Sequence, residues 1–430
     1  MFYLILFLIF CRPFISSLSF PVLNSAYSTV FLLFLIIWVI FKRAGIQKNL
    51  PAKLKPPLIL FILSLIVSTL FSQDKTHSLQ KFPQYLIGLL LFIIPFSLSP
   101  KNKKRVLSTI ILSGLGISFL AIYQHFFGFE YILNYLAKEK TPPPGLIGYL
   151  SQRRAFLPFI SPNTLAGYLI MIIPLSLAFK KRIFFILPLA AALFFTKSLG
   201  ALFSLFLGLI LYFYLNNQKG RKKVMGQLSG ETRDFSPHLT SPTRGEGIVG
   251  KYLPLLSGRL RQKIALLSGL SAVILLIFLL RQNSGSQFSQ PGFSLLRRWD
   301  YWKETLEIIK LFPFLGVGLG ALNLDQARYA HNGYLQIWAE TGIFGIISFG
   351  WLISGIYGLT KKDSPAKKET YNVTIAAISA FLIHNLVDFT FFLPETSFIW
   401  WIIFGTYISF QELRTITTFS GGGGVPVTFT

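Results

Sequence analysis

The sequence predicts an all-α, polytopic integral membrane protein of about twelve transmembrane helices, with both termini cytoplasmic and two long outer loops, one carrying a short interfacial helix. Three observations predict it. With 52% hydrophobic side chains, 16% aromatics and a mean hydropathy of +0.57 over 430 residues, the chain is far more apolar than a soluble domain of its size. Apolar stretches of about 17 to 25 residues, each about what a helix needs to cross a hydrocarbon core, recur along nearly the whole length. The Lys and Arg residues collect in alternate loops between those stretches, as they do when cytoplasmic loops retain positive charge during insertion.

Taken in order, the apolar runs fall at 2–20, 25–41, 56–71, 82–98, 106–127, 162–179, 183–196, 198–215, 264–280, 338–360, 371–392 and 396–411. The first is read as a retained helix, because no basic segment precedes it and no A-x-A-like cleavage site follows; Arg12 and Pro13 interrupt it. Lys180, Lys181 and Arg182 separate the sixth run from the seventh, and Lys197 marks a tight outer turn before the eighth. With the N-terminus inside, 27 of the 41 Lys and Arg residues are cytoplasmic and 14 are outside or in the first helix; the opposite orientation inverts the bias.

This reading divides the chain into four parts. Residues 1–215 hold the N-terminal helices and outer loop 128–161. Residues 216–263, rich in Gly, Ser, Thr and charge, read as a disordered basic cytoplasmic insertion. Residues 264–411 form a C-terminal membrane region with outer loop 281–337, and 412–430 form a flexible tail.

The formal charge of +25 does not indicate nucleic-acid binding, because the positive residues are spread over one set of loops rather than over one face. Cys11 is the only cysteine, which excludes disulfides within the chain, CxxC chemistry and thiolate zinc sites.

The outer loops carry the candidate chemistry. From Arg298 to Leu311, apolar groups at Trp299, Trp302, Leu306 and Ile309 have helical spacing, and the aromatics suit the headgroup zone, so the segment reads as an interfacial helix ended by Pro313. Arg298 is either a headgroup anchor or a bidentate ligand for a diphosphate. The following Gly316-Val-Gly-Leu-Gly320 lacks the preceding strand and the Lys-Ser/Thr of a nucleotide loop. His331-Asn332 enters a helix from a loop that also holds Arg297, Arg298 and Arg328; a lone His is usually structural, but here a neutral imidazole would stand beside cations at an interface. Arg153 and Arg154, ahead of Asn163, lie on the side that topology disfavours, where they bind headgroups or an anionic substrate. His384 and Asp388, four apart on one predicted helical face, are ionisable groups within a membrane run, while Asn385 suits a hydrogen bond between helices.

Together these residues resemble the O-antigen ligase and O-antigen polymerase superfamily of bacterial envelope glycosyltransferases. The resemblance rests on His331-Asn332, nine residues, then Gly342-x-x-Gly345; on Arg298-Trp-Asp-Tyr-Trp302 and Pro313-Phe-Leu-Gly-Val-Gly318; and on the segments Arg154 to Asn163 and His384 to Asp388. Where an Arg-x-x-x-Leu motif is common among the ligases, this chain has Arg298 followed by Trp302. The resemblance implies a multi-pass protein of the bacterial inner membrane, with a cavity on its outer face that receives a polyprenyl-diphosphate-linked glycan donor and a glycolipid or glycan acceptor among membrane lipids. It implies neither metal nor nucleotide and no other cofactor. Arg154 and Arg298 would neutralise the leaving diphosphate and His331 would accept the acceptor proton. Arg153, Arg297, Arg328, Asn332, Asn163, Asp388 and His384 would contribute to substrate binding. Ligase, polymerase and protein O-oligosaccharyltransferase differ only in acceptor. A lipid-glycan transporter is the alternative of another class, and it calls for inverted repeats that the sequence does not display.

Overall fold

The computed structural model describes residues 1–136, 148–150, 152–179, 181–231, 267–282, 291–358 and 368–419. Helices stand at all twelve apolar runs among the described residues: α1 Phe2–Cys11, α2 Pro21–Asn49, α3 Lys55–Leu70, α4 Lys75–Ile93, α5 Pro100–Tyr123, α7 Pro162–Ser176, α8 Arg182–Thr196, α9 Leu199–Glu231, α10 Leu267–Gln282, α12 Gly333–Gly358, α13 Lys368–His384 and α14 Pro394–Phe419. Two more, α6 Phe129–Leu136 and α11 Pro291–Leu311, lie in the segments predicted as outer loops. The starts are written locally. Proline, whose fixed φ suits the first helical turn, opens α2, α5, α7, α11 and α14. Asp74, Ser99 and Ser161 cap α4, α5 and α7 through their side-chain oxygens.

The chain is an all-helical membrane protein. On length and composition, six helical stretches can cross a membrane: Pro21–Asn49, Ala52–Leu70, Lys75–Ser97, Pro100–Asn134, Leu199–Asn216 and Gly333–Gly355. Five shorter apolar helices, among them α7 and α8, lie alongside. At 15 residues, α7 is about 22 Å long, less than a full hydrocarbon core. It is a central element instead, buried along nearly its whole length and packed on α8, α9 and α13. The pairs α3–α12 and α4–α14 complete the bundle around an aromatic core of Phe92, Phe349, Phe381, Phe391, Trp400 and Trp401. The periphery shows Ile36, Ile37, Ile40, Phe41, Ile59 and Leu63 outward, an apolar surface suited to lipid.

Several predicted boundaries differ from the structure. The first helix ends at Cys11, where the turn Arg12–Phe14 buries Arg12 against Ile15 O (2.8 Å), Asn24 Oδ1 (2.7 Å) and Glu395 Oε2 (3.4 Å). A side chain with several donors to satisfy thus ends the helix and ties it to α14. The helix over 106–127 continues through a π-turn, Gln124–Gly128, into α6, so loop 128–161 begins as helix. The interfacial helix starts at Pro291 rather than Arg298. The run 371–392 stops at His384, because the Asn385 side chain accepts from Phe391 N (2.8 Å) and folds the chain back. His384 and Asp388 therefore do not share a helical face. The predicted insertion 216–263 is helical as far as Glu231, and the rest of it, like the tail from 420, lies outside the described residues.

The glycine-rich loop has a structural task. In α12, Gly342 takes φ +68°, and a side chain there would lie 2.0 Å from Phe314 O. The kink frees helical carbonyls, and the loop uses them: Val317 N donates to Ala339 O (2.9 Å) and Gly318 N to Glu340 O (3.1 Å), while Ile343 N donates to Pro313 O (2.9 Å). Gly318, at φ +112°, passes so close to Ser72 that a Cβ would lie 1.9 Å from its Oγ. The loop is thus stitched to α12, and the 312–331 segment that ends in His331 is held at one end of the bundle.

The two ends of the bundle differ. The Lys42–Lys55, Lys101–Arg105 and Lys181–Arg182 turns occupy one end, where buried Lys103 donates to Ser409 O of α14 (2.8 Å). The starts of α7, α9 and α12 and the ends of α8, α10 and α13 gather at the other end, around a cavity.

Candidate active site

The cavity has a volume of about 500 Å³ and is lined by residues from six separate stretches of chain. Seven side chains singled out from sequence line it: Arg154, Asn163, Arg297, Arg298, His331, His384 and Asp388.

Arg154 arrives on a short loop anchored by Gln124, whose Oε1 accepts from Phe156 N (2.8 Å) and Leu157 N (2.9 Å). Its guanidinium is buried; Nε donates to Thr196 O (2.9 Å) and NH2 to Asn163 Oδ1 (3.1 Å), and it lies over the Tyr149 ring. Burial, and then the charges of Arg281 and Arg298, press its proton affinity down to about 9, which leaves it cationic at physiological pH. Asn163 also accepts from Ser198 Oγ (3.0 Å), so it braces Arg154 against the α8–α9 turn.

Arg298, on α11, points its NH2 at Asp388 Oδ2 (3.5 Å). The other Asp388 oxygen accepts from Phe389 N (2.8 Å), and Oδ2 also lies 4.0 Å from His384 Nε2. One carboxylate therefore sits between a guanidinium and an imidazole.

His331 stands at the mouth of α12 in a left-handed conformation, φ +50°, unusual for a residue with a side chain. Its ring stacks on Tyr301 (5.7 Å) and meets Phe389 edge-on (4.7 Å). Burial first, then the Arg298 charge, pushes its pKa down to about 4, so the imidazole is neutral across the physiological range.

Three other predicted residues do not line the cavity. Arg153 turns outward at φ +47° and meets exposed Glu130 at 3.8 Å. Arg328 lies over the Tyr329 ring, on the side of Lys81 and His77. Asn332 caps α12, its Oδ1 accepting from Tyr334 N (3.0 Å) and Leu335 N (3.1 Å). Conversely, Arg281 and Tyr149 line the cavity and were not singled out. Arg281 carries the signal used for Arg154, a guanidinium at the end of an apolar run on the sparsely charged side. Nothing in the sequence around Tyr149 distinguishes it from a core aromatic.

Among the described residues, no group of three or more His, Cys, Asp or Glu side chains is arranged to hold a metal ion. What the cavity presents is four guanidiniums, from Arg154, Arg281, Arg297 and Arg298, against the Asp388 carboxylate, with the imidazoles of His331 and His384 beside them. Fold and cavity define a helical membrane protein with an arginine-rich cavity at one end of its bundle.

Residues 183–350 match the family model described as O-antigen ligase, which supports the O-antigen ligase superfamily and, at family level, an O-antigen ligase/polymerase-like membrane glycosyltransferase. The matched region contains Arg281, Arg298 and His331; Arg154, His384 and Asp388 lie outside it. No curated protein matches the chain.

Proposed function

We propose that this protein moves a glycan from a polyprenyl diphosphate carrier to an acceptor hydroxyl on the outer face of the bacterial inner membrane. The convergence of Arg154 from one outer loop with Arg298 and His331 from the other on one cavity carries the reading. The basic turns at the opposite end then face the cytoplasm.

In this reading the acceptor oxygen attacks the anomeric carbon while the bond from that carbon to the diphosphate oxygen breaks, and the electron pair leaves with the diphosphate. Arg154 and Arg298 stabilise the charge that accumulates there, in a cavity where water competes poorly. Arg281 adds to the same field. The hydroxyl proton passes to an imidazole nitrogen of His331. The burial and the Arg298 charge that keep this imidazole neutral also make it a modest base, so it takes the proton only as bond formation acidifies the hydroxyl. Asp388 orients Arg298 and leaves the cavity less repulsive to that proton.

Deleting the gene in its host and comparing lipid-linked, free and attached glycan tests the reaction class. Accumulated lipid-linked polymer identifies a ligase and accumulated single repeats a polymerase. Unchanged pools on both leaflets count against transfer, and repeats trapped on the cytoplasmic leaflet favour transport of the lipid-linked glycan.

A further inference from the structure

One buried polar chain remains unused by that mechanism. Inside the bundle, one turn into α12, Gln336 is 1% exposed and its two amide atoms face different partners. Oε1 accepts from Ala330 N (2.8 Å), while Nε2 donates to Glu340 Oε1 (2.7 Å). The other Glu340 oxygen accepts from Tyr85 OH of α4 (3.2 Å), and Glu340 is itself 1% exposed. A buried carboxylate in a membrane bundle is costly unless held by hydrogen bonds, and it commonly marks function. Here the chain of bonds ends on the amide immediately before His331.

That end point matters because His331 occupies a left-handed backbone conformation. For a residue with a Cβ this conformation is strained and persists only where neighbouring contacts over-determine it. Three contacts do so: Gln336 Oε1 on Ala330 N, Trp302 Nε1 on His331 O (3.4 Å) and Gly333 N on Asn385 O (2.7 Å). The first is the one whose acceptor is fixed by a further buried group, the Glu340 carboxyl. Glu340 holds the Gln336 amide in the orientation that turns its oxygen, not its nitrogen, toward Ala330 N.

We propose that Tyr85, Glu340 and Gln336 form a positioning relay that sets the His331 imidazole in the cavity; the catalytic consequence rests on the function proposed above, whereas the conformational one does not. None of the three lines the cavity, so they act through His331 and leave donor binding to the arginines.

The test uses the purified full-length protein, lipid-linked glycan extracted from the deletion strain, and glycan-free polyprenyl diphosphate as the binding probe. Gln336→Met and Glu340→Met, similar in volume but unable to hydrogen-bond in this way, are expected to lower kcat about tenfold or more with probe affinity within about twofold of wild type. They should also raise the rate at which diethyl pyrocarbonate modifies His331, followed by mass spectrometry. The reciprocal variant Gln336→Glu with Glu340→Gln keeps all three bonds: one oxygen of the relocated carboxylate accepts from Ala330 N, its other oxygen accepts from the relocated amide, and the amide oxygen accepts from Tyr85. It is expected to retain most of the activity and the wild-type labelling rate. If Gln336→Met does not accumulate as folded protein, Glu340→Met carries the comparison, since it leaves the Gln336 side chain opposite Ala330 N and removes the carboxyl that orients it, together with that carboxyl's contacts to Tyr85 and the Gly320 backbone. Wild-type kcat and labelling in the Met variants, or a reciprocal variant as impaired as Gln336→Met, overturns the relay. If His331→Ala transfers glycan normally, the base assignment fails, and the relay is then decided by the labelling rates alone.

Discussion

Arg298 and Asp388 face each other at 3.5 Å, joining the helix that lies beside the cavity to the turn after α13. Asp388 is 1% exposed and Arg298 13%, so the pair holds a largely buried guanidinium at the cavity wall. The same carboxylate approaches His384, which makes it the hub of the polar lining.

Asp388→Asn should therefore impair orientation more than binding. Loss of the carboxylate makes the cavity more positive, so affinity for polyprenyl diphosphate should stay within a few-fold of wild type while kcat falls about tenfold, because Arg298 is no longer held. Arg298→Lys should do worse. It keeps the charge but loses the planar fork, and both affinity and kcat should drop. Equilibrium binding beside steady-state transfer separates the two.

The pH dependence follows from His331. Its pKa in the fold, about 4, lies below the ordinary histidine value, so the base is available wherever the pH exceeds about 4. Transfer should stay level from pH 8 to about 5 and fall only near 4, without an inflection at the ordinary value. In Arg298→Gln one of the two depressing causes is gone, and the inflection should move upward. For stability the sign is that of a depressed histidine: the unfolded chain takes up the proton first, so this residue's contribution is complete above the ordinary pKa and is lost as pH falls toward 4. A pH–rate profile and thermal unfolding in detergent at matched pH check both.

Arg12 and Glu395 form an ion pair at 3.4 Å with both side chains fully buried. Arg12→Met leaves a buried carboxylate without its cation and should destabilise the protein by about 3–5 kcal/mol. The double variant Arg12→Met with Glu395→Gln removes the orphaned charge and should recover much of the loss. Denaturation of the two variants, compared with wild type, reads this directly.

Much of the bundle is legible in the sequence because membrane helices announce themselves by long apolar runs, and each of the twelve runs carries a helix. What was less legible is where polar side chains end them. Arg12 shortens α1 and Asn385 turns the chain after His384, both through hydrogen bonds to residues far along the sequence or on the return strand of the turn. The site shows the same division. Arg154, Arg298 and His331 stand out as charged or titratable groups in segments predicted to be outer loops, but Asn332 reads like a ligand and proves to be a helix cap. Arg153, beside Arg154, points away because its backbone turns left-handed there, which no residue type in the segment announces. Gln336 and Glu340 look like ordinary helix residues until the fold brings Ala330 and Tyr85 to them.

The most direct measurement is the transfer rate of purified His331→Ala with lipid-linked donor, taken beside its affinity for polyprenyl diphosphate. Loss of a general base costs about 10²–10⁴ in the chemical step and leaves the arginines in place. The account predicts a rate at least about 100-fold below wild type with affinity changed no more than a few-fold; a folded His331→Ala protein that transfers glycan at the wild-type rate would contradict it.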